Sequence, residues 1–259
     1  MLDDIDDTPR PLVEHLIELR QRLLWSLAAF LVAFLACFAW ARPIFSVLVQ
    51  PLVAAGQDRV IFTQMFEAFL VQVRVAFFAA LMLAFPVIAI QVWKFVAPGL
   101  YRREKAALLP FLVATPFLFG AGAAFAYFVA IPVALKFLLG FEGDLGGIAQ
   151  EALPSVGAYL SFVMQFLFAF GVAFLLPVLL VLLVRAGLLS LDHLVKARRY
   201  AIVAAFVVAA IFTPPDVVSQ LLLAIPLILL YETSILAIRV TERRQRPAAV
   251  GSPQEGAAE

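Results

Sequence analysis

Charge is the scarcest commodity in this sequence. Asp, Glu, Lys and Arg make up 14% of the 259 residues, while 64% are hydrophobic and the mean hydropathy is +1.01. An ordinary soluble domain is about 25% charged and about 45–50% apolar. So much apolar surface cannot be hidden in one water-soluble core, and a bilayer is the better solvent. Cysteine occurs once, as Cys37 within an apolar run, which excludes an internal disulfide and any cysteine-based metal or redox motif. Two histidines, His15 and His193, lie far apart, and neither has a paired nucleophile or acid. No phosphate-binding glycine loop and no metal-ligand spacing is present, so an enzyme, a cofactor, a metal or a nucleic-acid ligand is not expected. Basic charge is missing from the first residues. "MLDDIDDTPR" is acidic where a signal peptide would open basic, so no cleaved signal is expected. An internal repeat of the inverted-topology kind is also lacking.

What is there is apolar and punctuated. Six apolar runs, at 23–40, 75–93, 108–133, 159–184, 200–212 and 217–238, read as membrane spans. About 20 helical residues cross a hydrocarbon core of about 30 Å. The fifth run reaches only about 20 Å at 1.5 Å per residue, so a short fifth helix and a tight hairpin through "FTPPDVVSQ" are expected. Of the 19 basic residues, all but Arg42, Arg59, Arg74 and Lys136 fall on one side when the runs are threaded back and forth. That bias places both termini in the cytoplasm. "IFTQMFEAFLVQV" puts Ile61, Phe62, Met65, Phe66, Phe69, Leu70 and Val73 on one helical face, an amphipathic helix at the outer interface. Prolines within the runs (Pro86, Pro110, Pro116, Pro177, Pro226) predict kinks. Residues 1–238 therefore form one membrane domain, with an amphipathic N-terminal helix over 11–22. Residues 239–259 read as a polar, disordered tail.

The polar residues near the span ends are the candidates for function. In "PLVEHLIELRQRLLW", Leu12, Leu16, Leu19 and Leu23 form an apolar stripe opposite Glu14, Glu18 and Arg22. Arg20 projects beside that stripe, either snorkelling to headgroups or fixed by a carboxylate. Glu104 is the one acid in "YRREK"; it either complements the dipole of the third span or recognises a cation. Asp216 follows two prolines, an N-cap placement. Gln220 lies one turn further and needs a partner, and Glu232 lies within reach of Arg239.

Six stretches together resemble the TatC family, the multi-span subunit of the twin-arginine protein translocase. They are "PLVEHLIELRQRLL", "FPVIAIQVWKFVAPGLYRREK", "GAAFAYFVAIP", "YLSFVMQFLFAFGVAFLLPV", "RRYAIVAAFVV" and "FTPPDVVSQLLLAIPLILLYE". The resemblance implies an all-α membrane protein: a cup-shaped bundle of six transmembrane helices, N-in and C-in, with short fifth and sixth helices. It implies a receptor in the bacterial inner membrane for twin-arginine signal peptides of folded cargo. It also implies a multimeric complex with TatA- and TatB-like single-span partners, surrounding membrane lipid, and transport driven by the proton-motive force. Carried over residue by residue, Glu18, Glu104, Phe95, Arg20 and Tyr101 fall to signal-peptide binding. Thr213, Asp216 and Gln220 fall to partner docking, and Pro51 to structure. The chemistry suits the assignment, because carboxylate accepts the planar donor fork of a guanidinium. One departure stands out: relatives often carry Glu or Gln where this chain has Leu175. The rival readings are a small-solute or ion transporter, for which no polar site at mid-bilayer is visible, and a structural scaffold, which would not need Glu18 and Glu104.

Overall fold

The computed structural model describes residues 12–57, 59–96, 105–141, 143–145, 148–150 and 153–245. Ten α-helices carry nearly all of these residues. α1 (Leu12–Ala39) leads through a one-residue turn into α2 (Ala41–Ala54). α3 is Glu67–Val96, and α4 (Lys105–Phe125) passes through a π-helical turn, Ala126–Ala130, into α5 (Ile131–Leu139). A ribbon of β1 (Gly143–Leu145) and β2 (Ile148–Gln150) follows, paired antiparallel with Leu145 opposite Ile148. α6 (Val156–Ala173) and α7 (Leu176–Arg185) form one broken rod. A short α8 (Leu191–Lys196) precedes α9 (Arg198–Phe212) and α10 (Val217–Gln245).

Small residues let the helices approach. Ala33, Cys37 and Ala41 of α1 and α2 pack on Ala76, Ala80 and Ala84 of α3, and all six are buried. Without a hydrophobic drive between helices in lipid, close van der Waals contact of this kind does the work. α4 meets α6 still more closely: a Cβ at Gly122 would overlap the Phe170 carbonyl, and one at Gly171 would press into the Phe119 ring at 2.6 Å. The largest core cluster centres on α6, with Val163, Phe166 and Phe170 fully buried beside Val75, Ile131 and Leu223.

Contacts sort the bundle into two ends. His15 and Arg22 of α1 meet Phe95 and Gln91 of α3. Trp93 bonds Thr115 of α4, and Arg185 of α7 lies over Phe111. Tyr231 of α10 donates to the Leu194 carbonyl of α8. The end where α1 begins and α10 finishes is called the terminal face; α2, the start of α3 and the start of α6 form the distal face.

Several expectations change here. Among the described residues, five helical stretches are long and apolar enough to cross a membrane; α9, at 15 residues, is not among them. The sixth helix is not short: its apolar part ends where expected, but the helix continues to Gln245, 29 residues in all. Charged side chains beyond Ile238 do not stop a helix that meets no Gly or Pro between Pro226 and Pro247. Residues 239–245 are therefore helical, and 246–259 lie outside the described residues. The amphipathic N-terminal segment is no separate helix but the first turns of the 28-residue α1.

Residues 61–66 are not helical either. Ile61 makes a parallel bridge with Ser155, and helix begins only at Glu67. The Glu67 carboxylate decides this. Its Oε2 accepts from Thr63 N (2.5 Å), Thr63 Oγ1 (3.0 Å) and Gln64 N (3.2 Å), and its Oε1 from Gly157 N (2.8 Å). The side chain thus satisfies backbone donors of the turn before α3 and of the start of α6, and ties the 61–66 segment to α6. Of the prolines, Pro86 and Pro226 lie inside continuous helices, while Pro177 sits at the break between α6 and α7.

Candidate functional site

On the terminal face, α1 turns its polar stripe inward. His15, Glu18 and Arg22 are half-buried, whereas Val13, Leu16, Ile17, Leu19, Leu23 and Leu24 are exposed. In water this would be inside out. In a bilayer the leucines face a medium as apolar as themselves, and the polar groups find partners only against α3. Glu18 Oε1 accepts from Arg22 Nε at 3.2 Å and from Nη2 at 2.5 Å, while Arg22 Nη1 donates to Gln91 Oε1 at 3.3 Å. One turn nearer the N-terminus, the His15 ring stacks on Phe95 with centroids 4.4 Å apart and planes 19° off parallel. Glu18, Phe95, His15, Arg22 and Gln91 thus form one patch across the α1–α3 contact.

Arg20 does not join it. Its side chain is exposed, and the carboxylate-paired arginine of this helix is Arg22. The 100° step per residue puts 18 and 22 on one face and swings 20 away. Tyr101 and Glu104 lie outside the described residues. The Trp93 indole donates to Thr115 Oγ1 (2.9 Å), which donates to the Phe111 carbonyl (2.7 Å), tying the end of α3 to the middle of α4. His15, Arg22 and Gln91 were missed as site residues. The i,i+4 pairing of Glu18 with Arg22 was legible, but its reach to residue 91 was not.

The α9–α10 hairpin carries the second polar group. Thr213 is buried, and its hydroxyl donates to the Ala209 carbonyl at 2.9 Å, closing α9. Asp216 caps α10 as expected, with Oδ1 accepting from Ser219 N at 2.7 Å. Gln220 Nε2 donates to the Phe206 carbonyl of α9 at 3.2 Å. Two buried atoms beside them, Asp216 Oδ2 and Ser219 Oγ, have no hydrogen-bond partner among the described residues. Glu232 pairs with Arg198 of α9 (2.7 Å) rather than with Arg239, because antiparallel packing brings the start of α9 closer than the next turns of α10.

Pro51 lies on the distal face, buried in α2. Lacking an N–H, it frees the carbonyl four residues back, at Val47. Tyr127 of the π-helical turn donates its hydroxyl to that carbonyl at 2.7 Å. Tyr159 of α6 donates to the next one, Leu48, at 2.8 Å. Pro51 is thus a docking point for two helices, remote from the Glu18 patch. Leu175 stands half-buried at the break between α6 and α7.

The fold is thus a bundle of apolar helices with a polar patch across the α1–α3 contact at one end and a polar turn between α9 and α10. Residues 14–226 match the family described as "Sec-independent protein translocase protein (TatC)". A Magnetococcus marinus protein of that name is 47% identical over 96% of this chain and 91% of its own length. The Escherichia coli K12 protein of that name is 41% identical over 91% of this chain and 90% of its own. The structure resembles a crystal structure of the "Twin Arginine Translocase Receptor- TatC" with a TM-score of 0.78 at 41% identity, covering 88% of this chain and 100% of that one. The chain belongs to the TatC family of Sec-independent protein translocases, and is a multi-pass, non-enzymatic membrane component of protein transport.

Proposed function

We propose that this chain is the receptor and core subunit of a twin-arginine translocase. It sits in the bacterial inner membrane with both termini cytoplasmic and six spans, the short α9 counted among them. It binds the paired arginines of a cargo signal peptide at the terminal face and assembles with TatA- and TatB-like single-span subunits, and the proton-motive force drives export of folded cargo. The observation that carries this reading is Glu18, a carboxylate already accepting a guanidinium from Arg22 through two donors. What Arg22 does from within, a cargo arginine does from outside, with Glu104 taking the second arginine, Phe95 and Tyr101 bordering the peptide, and Arg20 contacting lipid phosphate. At the hairpin, Asp216 Oδ2 and Ser219 Oγ are the buried groups a partner helix would satisfy, beside Thr213 and Gln220.

The test is photo-crosslinking of a twin-arginine peptide to the membrane-embedded chain. Glu18→Ala and Glu104→Ala each weaken capture, since a charge-assisted hydrogen bond contributes about 1.5–3 kcal/mol. Glu104→Asp loses less. Unchanged crosslinking in the double alanine variant rejects the carboxylate clamp.

A further inference from the structure

Arg74 is costly where it stands. It lies two turns into the membrane-spanning α3, on the distal half, exposed, and among the described residues nothing pairs with it. Charged side chains within spans ordinarily pair or mark a ligand. Arg74 lines two hollows at once. One, of about 270 Å³, is polar and includes Thr63, Gln64, Ser155 and Ser161. The other is a groove of about 510 Å³ between α3, α6 and the end of α9, walled by Phe77, Phe78, Leu81, Met164, Phe168 and Phe212. Glu67 also borders the polar hollow, but its two oxygens already accept four hydrogen bonds.

The order along α3 is therefore polar hollow, guanidinium, then an apolar channel. From Val73 to Leu81 the channel follows the helix for about 12 Å. That is the polarity profile of a glycerophospholipid: an oxygen-rich headgroup, an anionic phosphate, then an acyl chain. We propose that this site holds one phospholipid of the leaflet opposite the chain termini. Its phosphate takes the Arg74 donors, its headgroup oxygens meet Ser155 and Ser161, and one acyl chain lies over Phe77, Phe78 and Phe168. Gln165, the amide among the groove residues, lies within the same channel and donates to an ester carbonyl. The guanidinium fork suits phosphate as a bidentate acceptor. A transmembrane peptide would leave it without an anion.

The experiment uses the full chain, purified in detergent, stripped of lipid and titrated with long-chain phosphatidylglycerol, with bound lipid counted by native mass spectrometry. Wild type retains one lipid that Arg74→Gln loses by about tenfold in affinity, the scale of a charge-assisted contact. Arg74→Lys keeps most of it. Met164→Trp, which fills the groove and leaves Arg74 in place, also loses it. Glycerol phosphate and inorganic phosphate at equal concentration fail to compete. Competition by either means a bare-anion site and overturns the proposal. So does equal lipid retention by wild type and Arg74→Gln, or displacement of the lipid by an apolar helical peptide whose crosslinks map to the groove. Matching thermal melts of wild type and Arg74→Lys secure the comparison if Arg74→Gln folds poorly.

Discussion

At the scale of single residues, the Glu18–Arg22 pair is both scaffold and competitor. Arg22 spends two donors on Glu18 and a third on Gln91. A cargo guanidinium arriving at Glu18 must displace the first two, while the Gln91 contact can hold α1 on α3 meanwhile. Arg22→Gln should therefore keep an amide beside residue 91 and remove one internal rival. An i,i+4 ion pair on a helix is worth about 0.3–0.5 kcal/mol, so peptide affinity should rise by about twofold. Isothermal titration with a twin-arginine peptide checks this; weaker binding in Arg22→Gln would mean that Arg22 orients Glu18 rather than competes for it. Gln220 answers a similar question on the hairpin. Its bond to the Phe206 carbonyl uses one amide hydrogen and leaves the rest of the group for a partner. Gln220→Leu should leave the chain folded and weaken retention of a single-span partner by the about 0.6–2 kcal/mol of an interhelical hydrogen bond in lipid. Co-purification at wild-type stoichiometry through harsher detergent would contradict it.

At the scale of elements, the spans were legible because lipid imposes a length and an apolar composition that no other environment requires. The caps at Asp216 and the short α9 followed from local chemistry. Residues 61–73 show where such reading stops. Their apolar residues recur at helical spacing, yet Thr63 and Gln64 give their donors to Glu67, and Ile61 pairs with Ser155. A carboxylate that also receives Gly157 N, 90 residues away, is a tertiary fact with no local signature. The orientation of α1 was hidden for the same reason, since a stripe of leucines points to a core in water and to lipid in a bilayer. Of the proposed site, Glu18 on α1 and Phe95 on α3 lie on the same α1–α3 contact, Arg20 is exposed, and the stack of His15 on Phe95 has no local signature. The Glu67 cap makes its own prediction. Glu67→Ala leaves four donors unsatisfied and should lower the thermal melt and expose the 61–66 segment to protease. Gly157→Ala should mimic it, because its Cβ would lie 2.8 Å from Glu67 Oε1. Wild-type melting in both variants would show the cap to be dispensable.

At the scale of the whole molecule, the bundle is uneven in thickness. α3 and the α6–α7 rod are 29 to 30 residues long in their spanning stretches, whereas α9 has 15 residues and reaches about 22 Å. A hydrocarbon core of about 30 Å exceeds that by about 8 Å. α10 begins at Val217 directly after the hairpin, so the whole Thr213–Asp216 turn is held at the depth where α9 ends, and Phe212 lines the groove alongside Met164 and Phe168 of α6. A polar turn with two unsatisfied buried atoms cannot rest in undisturbed hydrocarbon. The bilayer must thin beside this hairpin, or water must reach it along the groove between α3, α6 and the end of α9. Val217→Cys reports on which side of the boundary the turn lies. Val217 is 70% exposed, and the native thiol, Cys37, is buried at 6%, so a membrane-impermeant maleimide reads the new cysteine. In nanodiscs of short-chain lipid, labelling should be fast; in long-chain lipid it should slow severalfold, as thickening the bilayer by a few Å carries a modest cost per Å of mismatch. A partner helix docked on Gln220 would slow it further in either lipid. Equal labelling in thin and thick bilayers would place the turn in a permanent aqueous pocket of the protein, and the thinning argument would fail.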